Sequence, residues 1–292
     1  SHCLMLTRSG TTPPNRGVRE PTGSKLRNRA VRRIVAAGWG QAIAAVLQLV
    51  SLRIFSGIMP PETFGLAMLG LGALAFADGV GAAAFSQILA QTLKDFETRQ
   101  QRIGLALGLA IPFTGWLIVL GSVGLALAWW MLGPQGALLT ALGLVVMFAT
   151  EGIRTAGQLL VQMERRYLLQ SLWYALEAIA VLACSLAMLR FSGHNPAALI
   201  AGMLLGRAVA GLLMAPLALG SPTQWWIDRA TARAVLPAAL GFGGSVVVMT
   251  PLGWLAMFAD RYIVGATQGL AQAGMLAALT GAVVRPYGIV TA

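Results

Sequence analysis

With 292 residues, 57% of them hydrophobic and only 11% charged, and a mean hydropathy of +0.73, the chain carries more apolar surface than a soluble domain of this size can bury. A net charge of +11 would point to nucleic acid in a soluble protein. Here eight of the cations (Arg8, Arg16, Arg19, Lys25, Arg27, Arg29, Arg32 and Arg33) precede the first apolar stretch, as expected of a cytoplasmic end facing an anionic leaflet, and no nucleic-acid partner is expected.

Residues 1–33, rich in Pro, Gly, Thr and Arg and lacking the apolar core of a signal peptide, read as a disordered basic cytoplasmic tail. About eight apolar stretches follow, at roughly 34–58, 64–90, 103–128, 136–158, 168–189, 196–219, 235–258 and 270–290. At 1.5 Å per residue each can cross a hydrocarbon core of about 30 Å. The expected fold is an all-α polytopic membrane protein. A six-helix lobe spans 34–219, a cytoplasmic linker 220–234, and the first two helices of a second, truncated lobe 235–292. Lys94, Arg99, Arg102, Arg165, Arg166, Arg229 and Arg233 fall in loops on the side of the tail, while Arg190 and Arg261 fall on the other, with Arg53 near a helix end there. That asymmetry predicts a cytoplasmic N-terminus in a multi-pass plasma (inner) membrane protein. The chain opens on Ser1 and stops at Ala292, directly after an apolar stretch, and reads as a fragment.

Gly104/Gly108 and Gly202/Gly206 have the spacing that lets membrane helices approach closely. An echo links Arg53-Ile-Phe-Ser-Gly57 and the later Phe64-Gly65 with Arg261-Tyr-Ile-Val-Gly265 and the later Ala273-Gly274, about 208 residues on. It suggests that spans seven and eight repeat spans one and two in the same orientation, as parallel six-helix halves would.

Cys3 and Cys184 lie far apart, and His2 and His194 fall in the tail and a loop, so neither a disulfide framework nor a metal site is expected. Gly79-Val-Gly81 imitates a dinucleotide fingerprint, but it lies inside an apolar span with no preceding strand. Neither a phosphate-binding lysine loop nor a nucleophile–base–acid trio is present, so no enzyme activity and no cofactor are expected.

Several segments resemble one family. Leu52-Arg53-Ile-Phe-Ser-Gly-Ile-Met-Pro-Pro-Glu62-Thr-Phe-Gly65 is similar to the end of the first helix and first outer loop of Wzx-like polysaccharide flippases. Phe76-Ala-Asp78-Gly79-Val-Gly81 followed by Gln87 looks like their second-helix signature, and Asp260-Arg261-Tyr262 with the later Gly274 looks like their seventh-to-eighth helix junction. These proteins belong to the multidrug, oligosaccharidyl-lipid and polysaccharide exporters. The resemblance covers 34–292. It implies two lobes around a central cavity, a lipid-linked oligosaccharide substrate carried across the membrane, membrane lipids as surroundings, and polysaccharide polymerase or export machinery as partners.

Ionisable groups inside hydrocarbon cost about 2.5–3.5 kcal/mol each on insertion scales, so each needs a reason. Arg207 lies about 16 Å into span six, near mid-membrane, with Glu177 at similar depth in span five. Two readings stand: Arg207 faces the cavity and grips a pyrophosphate or acidic sugar, or Arg207 and Glu177 neutralise each other. Asp78 either takes up a proton or Na⁺ or holds the Gly79/Gly81 region in place. Glu151 and Arg154, three apart, are expected to pair or to meet the interface. Arg53 and Arg261, near the outer surface, are candidates to receive phosphate as it leaves, and Arg285 sits before Pro286, a possible kink. A cavity lined by Arg53, Arg207, Arg261 and Arg285 would be cationic. The competing readings are a drug/cation antiporter, which should show acidic and aromatic cavity residues and few arginines; a membrane glycan polymerase or ligase, which usually needs a large outer loop; and a structural scaffold.

Overall fold

The computed structural model describes residues 23–220 and 229–291, with side chains over 38–122, 133–220 and 247–281. Among the described residues every regular element is helical: α1 Gly23–Ile58, α2 Pro61–Asp78, a π-turn Gly79–Ala83, α3 Ala84–Thr92, a 3₁₀ turn Leu93–Asp95, α4 Arg99–Met163, α5 Tyr167–Ser192, α6 Pro196–Leu219, α7 Arg229–Gln268 and α8 Leu270–Thr291. α2, the π-turn, α3 and the 3₁₀ turn follow one another as a single column.

Proline, glycine and capping side chains set the ends. Pro61 and Pro196 open α2 and α6, where a missing N–H costs nothing. At the start of α4, Thr98 Oγ1 accepts from the Gln101 N–H at 3.3 Å, and Gln101 Oε1 accepts from the Thr98 N–H at 3.4 Å. Gly193, Gly220 and Gly269 have φ of 79°, 85° and 97° beside the ends of α5, α6 and α7, a left-handed region that a Cβ would disfavour. Gly133 (φ 71°), followed by Pro134, breaks the 65-residue α4 into two arms without an intervening loop. The arms pack on each other: a Cβ on Gly152 would lie 3.0 Å from the Ala110 Cβ.

Among the described residues seven helical stretches are long and apolar enough to cross a membrane: Gly38–Ile58, Pro61–Asp95, Arg99–Ser122, Gly133–Met163, Tyr167–Ser192, Pro196–Leu219 and Val247–Gln268. The eighth expected span falls on α8, whose apolar stretch Leu270–Gly281 is shorter. Leu138, Val145, Leu168, Val248 and Leu279 project outward, as side chains facing lipid would. The chain is an all-α polytopic membrane protein.

Two boundaries differ from expectation. Residues 23–33, assigned above to the tail, are helical and extend α1, because Leu, Lys, Arg and Ala there are good helix formers with no proline among them. Residues 229–234, assigned to the linker, form the first turns of α7 for the same reason. The tail through residue 22 and linker residues 221–228 lie outside the described residues.

In lipid, helices associate by close packing more than by an apolar driving force, and glycines permit it. A Cβ on Gly202 or Gly206 would collide with the α5 backbone at Ser185 or Val181, so the spacing seen in sequence seats α6 on α5. Gly104 and Gly108 are buried in the first arm of α4. Gly40 seats α1 on α5 at Ser171 in the same manner. The echoed glycines meet each other: a Cβ on Gly274 of α8 would lie 2.9 Å from the Gly65 Cα of α2. α1 also touches α8, and α7 touches α2.

Candidate intramembrane charge cluster and cavity

Five charged side chains from four elements, α2, α4, α5 and α6, meet in one cluster. On the second arm of α4, Glu151, Arg154, Thr155 and Gln158 share one face at i, i+3, i+4 and i+7. Arg154 donates to both Glu151 oxygens, at 2.5 and 2.9 Å, and to Glu177 Oε2 of α5 at 3.2 Å. Gln158 ties that second pair together, accepting from Arg154 at 3.1 Å and donating to Glu177 at 3.2 Å. Arg207 of α6 donates to both Asp78 oxygens of α2, at 3.2 and 3.1 Å, and to Glu151 Oε1 at 3.3 Å; its Nε stands 3.8 Å from Glu177. The cluster therefore sets three carboxylates against two guanidiniums. Among the described residues no group of three His, Cys, Asp or Glu is placed to hold a metal ion.

Burial divides the members. The Glu151 side chain is 1% exposed and receives donors from Arg154, Arg207 and Thr155, which a fully desolvated carboxylate requires. Gly211 of α6 makes room for the Arg154 stem, since a Cβ there would lie 3.1 Å from both Cβ and Cγ of Arg154. Asp78, Glu177 and Arg207 keep 33%, 20% and 23% of their side chains accessible and line a cavity of about 420 Å³. That volume lies within the range of small-molecule sites, about 300–1,000 Å³. The cavity has an apolar wall that includes Phe55, Met68, Leu71 and Met203, and polar groups from Gln48, Ser51 and Tyr174.

α7 contributes Phe258 and Arg261 to the lining. Arg261 lies over the Phe258 ring, 4.8 Å from its centroid, and donates to Thr280 of α8 at 2.8 Å. Around it α7 is docked on α2: Tyr262 donates to the Leu69 carbonyl and Trp254 to the Gly72 carbonyl, both at 2.7 Å. Trp254 also meets Phe76 edge-on at 5.5 Å.

Of the expected site residues, Asp78, Glu177, Arg207 and Arg261 converge on one cavity. Arg53 does not: it is exposed on α1 and is not part of the lining, because Leu52 and Phe55 take the inward positions of that turn. The Arg285 side chain lies outside the described residues. Arg207 was expected either to face the cavity or to neutralise Glu177. Its closest carboxylate is Asp78, and the cavity's arginines are matched by Asp78 and Glu177, so the lining is mixed and not cationic. Glu151 and Arg154, expected to pair or to meet the interface, do pair, deep inside. Gln158 and Gly211 were missed; the polar stripe Glu151-Arg154-Thr155-Gln158 in an apolar span was the available signal.

No family model matches this chain, and no curated protein does. A solved structure, described as the crystal structure of MATE in complex with Br-NRF, is similar at 17% identity over 90% of this chain and 69% of that one, with a TM-score of 0.44.

Proposed function

We propose that the chain is a membrane transporter that flips or exports undecaprenyl-pyrophosphate-linked oligosaccharide or polysaccharide by alternating access, in cell-surface polysaccharide biosynthesis. In this reading the N-terminus is cytoplasmic, the membrane is the inner one, and polymerase or export machinery works alongside. The observation that supports it is Arg207 lining the cavity with both terminal guanidinium nitrogens on the Asp78 carboxylate. A phosphate takes the same forked geometry, so a substrate headgroup can replace Asp78 on Arg207. Arg261, in the same cavity, supplies a second cation from α7.

One observation favours a second reading, a drug/cation antiporter: the cluster's third carboxylate has no guanidinium of its own, which suits a proton or an organic cation. Proteoliposomes separate the two. A fluorescent undecaprenyl-pyrophosphate oligosaccharide should become accessible to an outside reagent in a proton- or Na⁺-gradient-dependent manner, and Arg207→Ala should abolish this at normal membrane levels. Efflux of an organic cation without glycan translocation selects the antiporter. Asp78→Asn should change the dependence on pH or Na⁺ in either case, and an unchanged dependence assigns Asp78 a structural role.

A further inference from the structure

The helical column that begins at Pro61 widens its hydrogen-bond pattern part-way along, at the π-turn Gly79–Ala83. Such wide turns are rare and insert one residue into the α-helical count. This one begins immediately after Asp78, whose carboxylate is clamped by Arg207. Its first carbonyl, at Gly79, receives the Thr250 hydroxyl of α7 at 3.4 Å, and a Cβ on Gly81 would lie 2.7 Å from Leu117 of α4.

The segments on either side are held differently. Before the turn, α2 is pinned through its backbone: Gly65 abuts α8, and the Leu69 and Gly72 carbonyls accept from Tyr262 and Trp254. After the turn, α3 packs against both α7 and α4, the latter through apolar side chains that include Phe85 stacked on Phe113 at 4.0 Å. Contacts of the first kind fix rotation about the helix axis, whereas those of the second kind can be exchanged for their neighbours.

We propose that the π-turn is a hinge set by the Asp78–Arg207 pair: releasing Asp78 converts the turn to regular α-helix and rotates α3 about its own axis while α2 stays on α7. Absorbing the extra residue turns the following helix by about 100° and slides it by about 1.5 Å. Each residue of α3 then takes the azimuth of the one after it, so Ser86 moves to the exposed place now held by Gln87. The hinge turns a change of partner at Asp78 into motion of the far end of the column. It does not depend on which substrate the cavity takes.

The test is nitroxide accessibility of the full chain in lipid nanodiscs. Cys3→Ser and Cys184→Ser provide the background, with single labels at Ser86→Cys, at Gln87→Cys and, as an α2 reference, at Ala73→Cys. With Asp78 intact, the label at 87 should collide more with oxygen than the label at 86. In Asp78→Asn the order should invert, with the reference at 73 unchanged. Deleting Val80, which removes the extra residue itself and so leaves α3 at its present azimuth in a regular helix, should keep the native order, and inversion there overturns the hinge. Arg207→Gln breaks the pair from the other side and must give the inversion, including where Asp78→Asn does not accumulate. An unchanged 86-to-87 order in a pair-breaking variant whose reference label is native overturns the hinge. So does inversion in every variant tested, the conservative Asp78→Glu with its pair retained among them.

Discussion

The contact of α6 with α5 and the contact of α7 with α2 both join membrane helices, by opposite means. The first brings backbones together: Gly202 and Gly206 leave no room for a Cβ against residues 181–185, and beside them the Glu151, Arg154 and Glu177 charges are closed into one network. The second keeps backbones apart and bridges them with aromatic side chains, each giving one hydrogen bond to a carbonyl already used by its own helix. Backbone contact has no intermediate setting, because a glycine either admits its neighbour or does not. Side-chain bridges can be removed one at a time. The difference sets a contact that tolerates no added side chain, between α5 and α6, against one that two hydrogen bonds tune, between α2 and α7.

The comparison can be broken from either side. The largest effect should come from Arg154→Met, which leaves Glu151 and Glu177 short of a cation in the interior. Removing one partner of a buried pair costs about 3–5 kcal/mol, and thermal unfolding of the purified chain should fall accordingly; a stability near wild type would mean that Arg207 alone satisfies Glu151. Gly206→Leu should follow, at about 1–3 kcal/mol for overpacking, read as a lower melting temperature and poorer recovery from detergent. Trp254→Phe and Tyr262→Phe should be mildest, about 0.6 kcal/mol each for a lost interhelical hydrogen bond. They should nevertheless raise the spread of spin–spin distances between α2 and α7, which Gly206→Leu should leave alone. Equal costs for Gly206→Leu and Trp254→Phe would remove the distinction between the two seams.

Hydropathy and helix breakers read directly onto most of the fold. The Pro at 61 and 196 and the Gly at 133, 193, 220 and 269 stand where helices begin, break or end, because their backbone preferences act locally. Depth along a helix was legible too, which is why Arg207 and Glu177 were both expected near mid-membrane. Azimuth was not. Arg207 chooses Asp78, 129 residues earlier, because α2 and α6 present those side chains to a common axis, and one sequence contains no record of which faces meet. Arg53 illustrates the same gap from the other side: it falls one position away from the cavity-lining Leu52 and so points outward. The contact between Gly65 and Gly274 joins two segments that the sequence marked as similar without saying that they meet.

The uninterrupted bend at Gly133 has a consequence for how the chain is made. The two arms of α4 have no aqueous segment between them, so they reach the bilayer as one hairpin during synthesis. Glu151 and Arg154, one turn apart on the second arm, enter it as a neutral pair, not as two bare ions. Glu177 arrives next and finds Arg154 in place. Until α6 supplies Arg207, the three carboxylates of Asp78, Glu151 and Glu177 have only the Arg154 guanidinium among them, so the charge cluster is completed by its last helix.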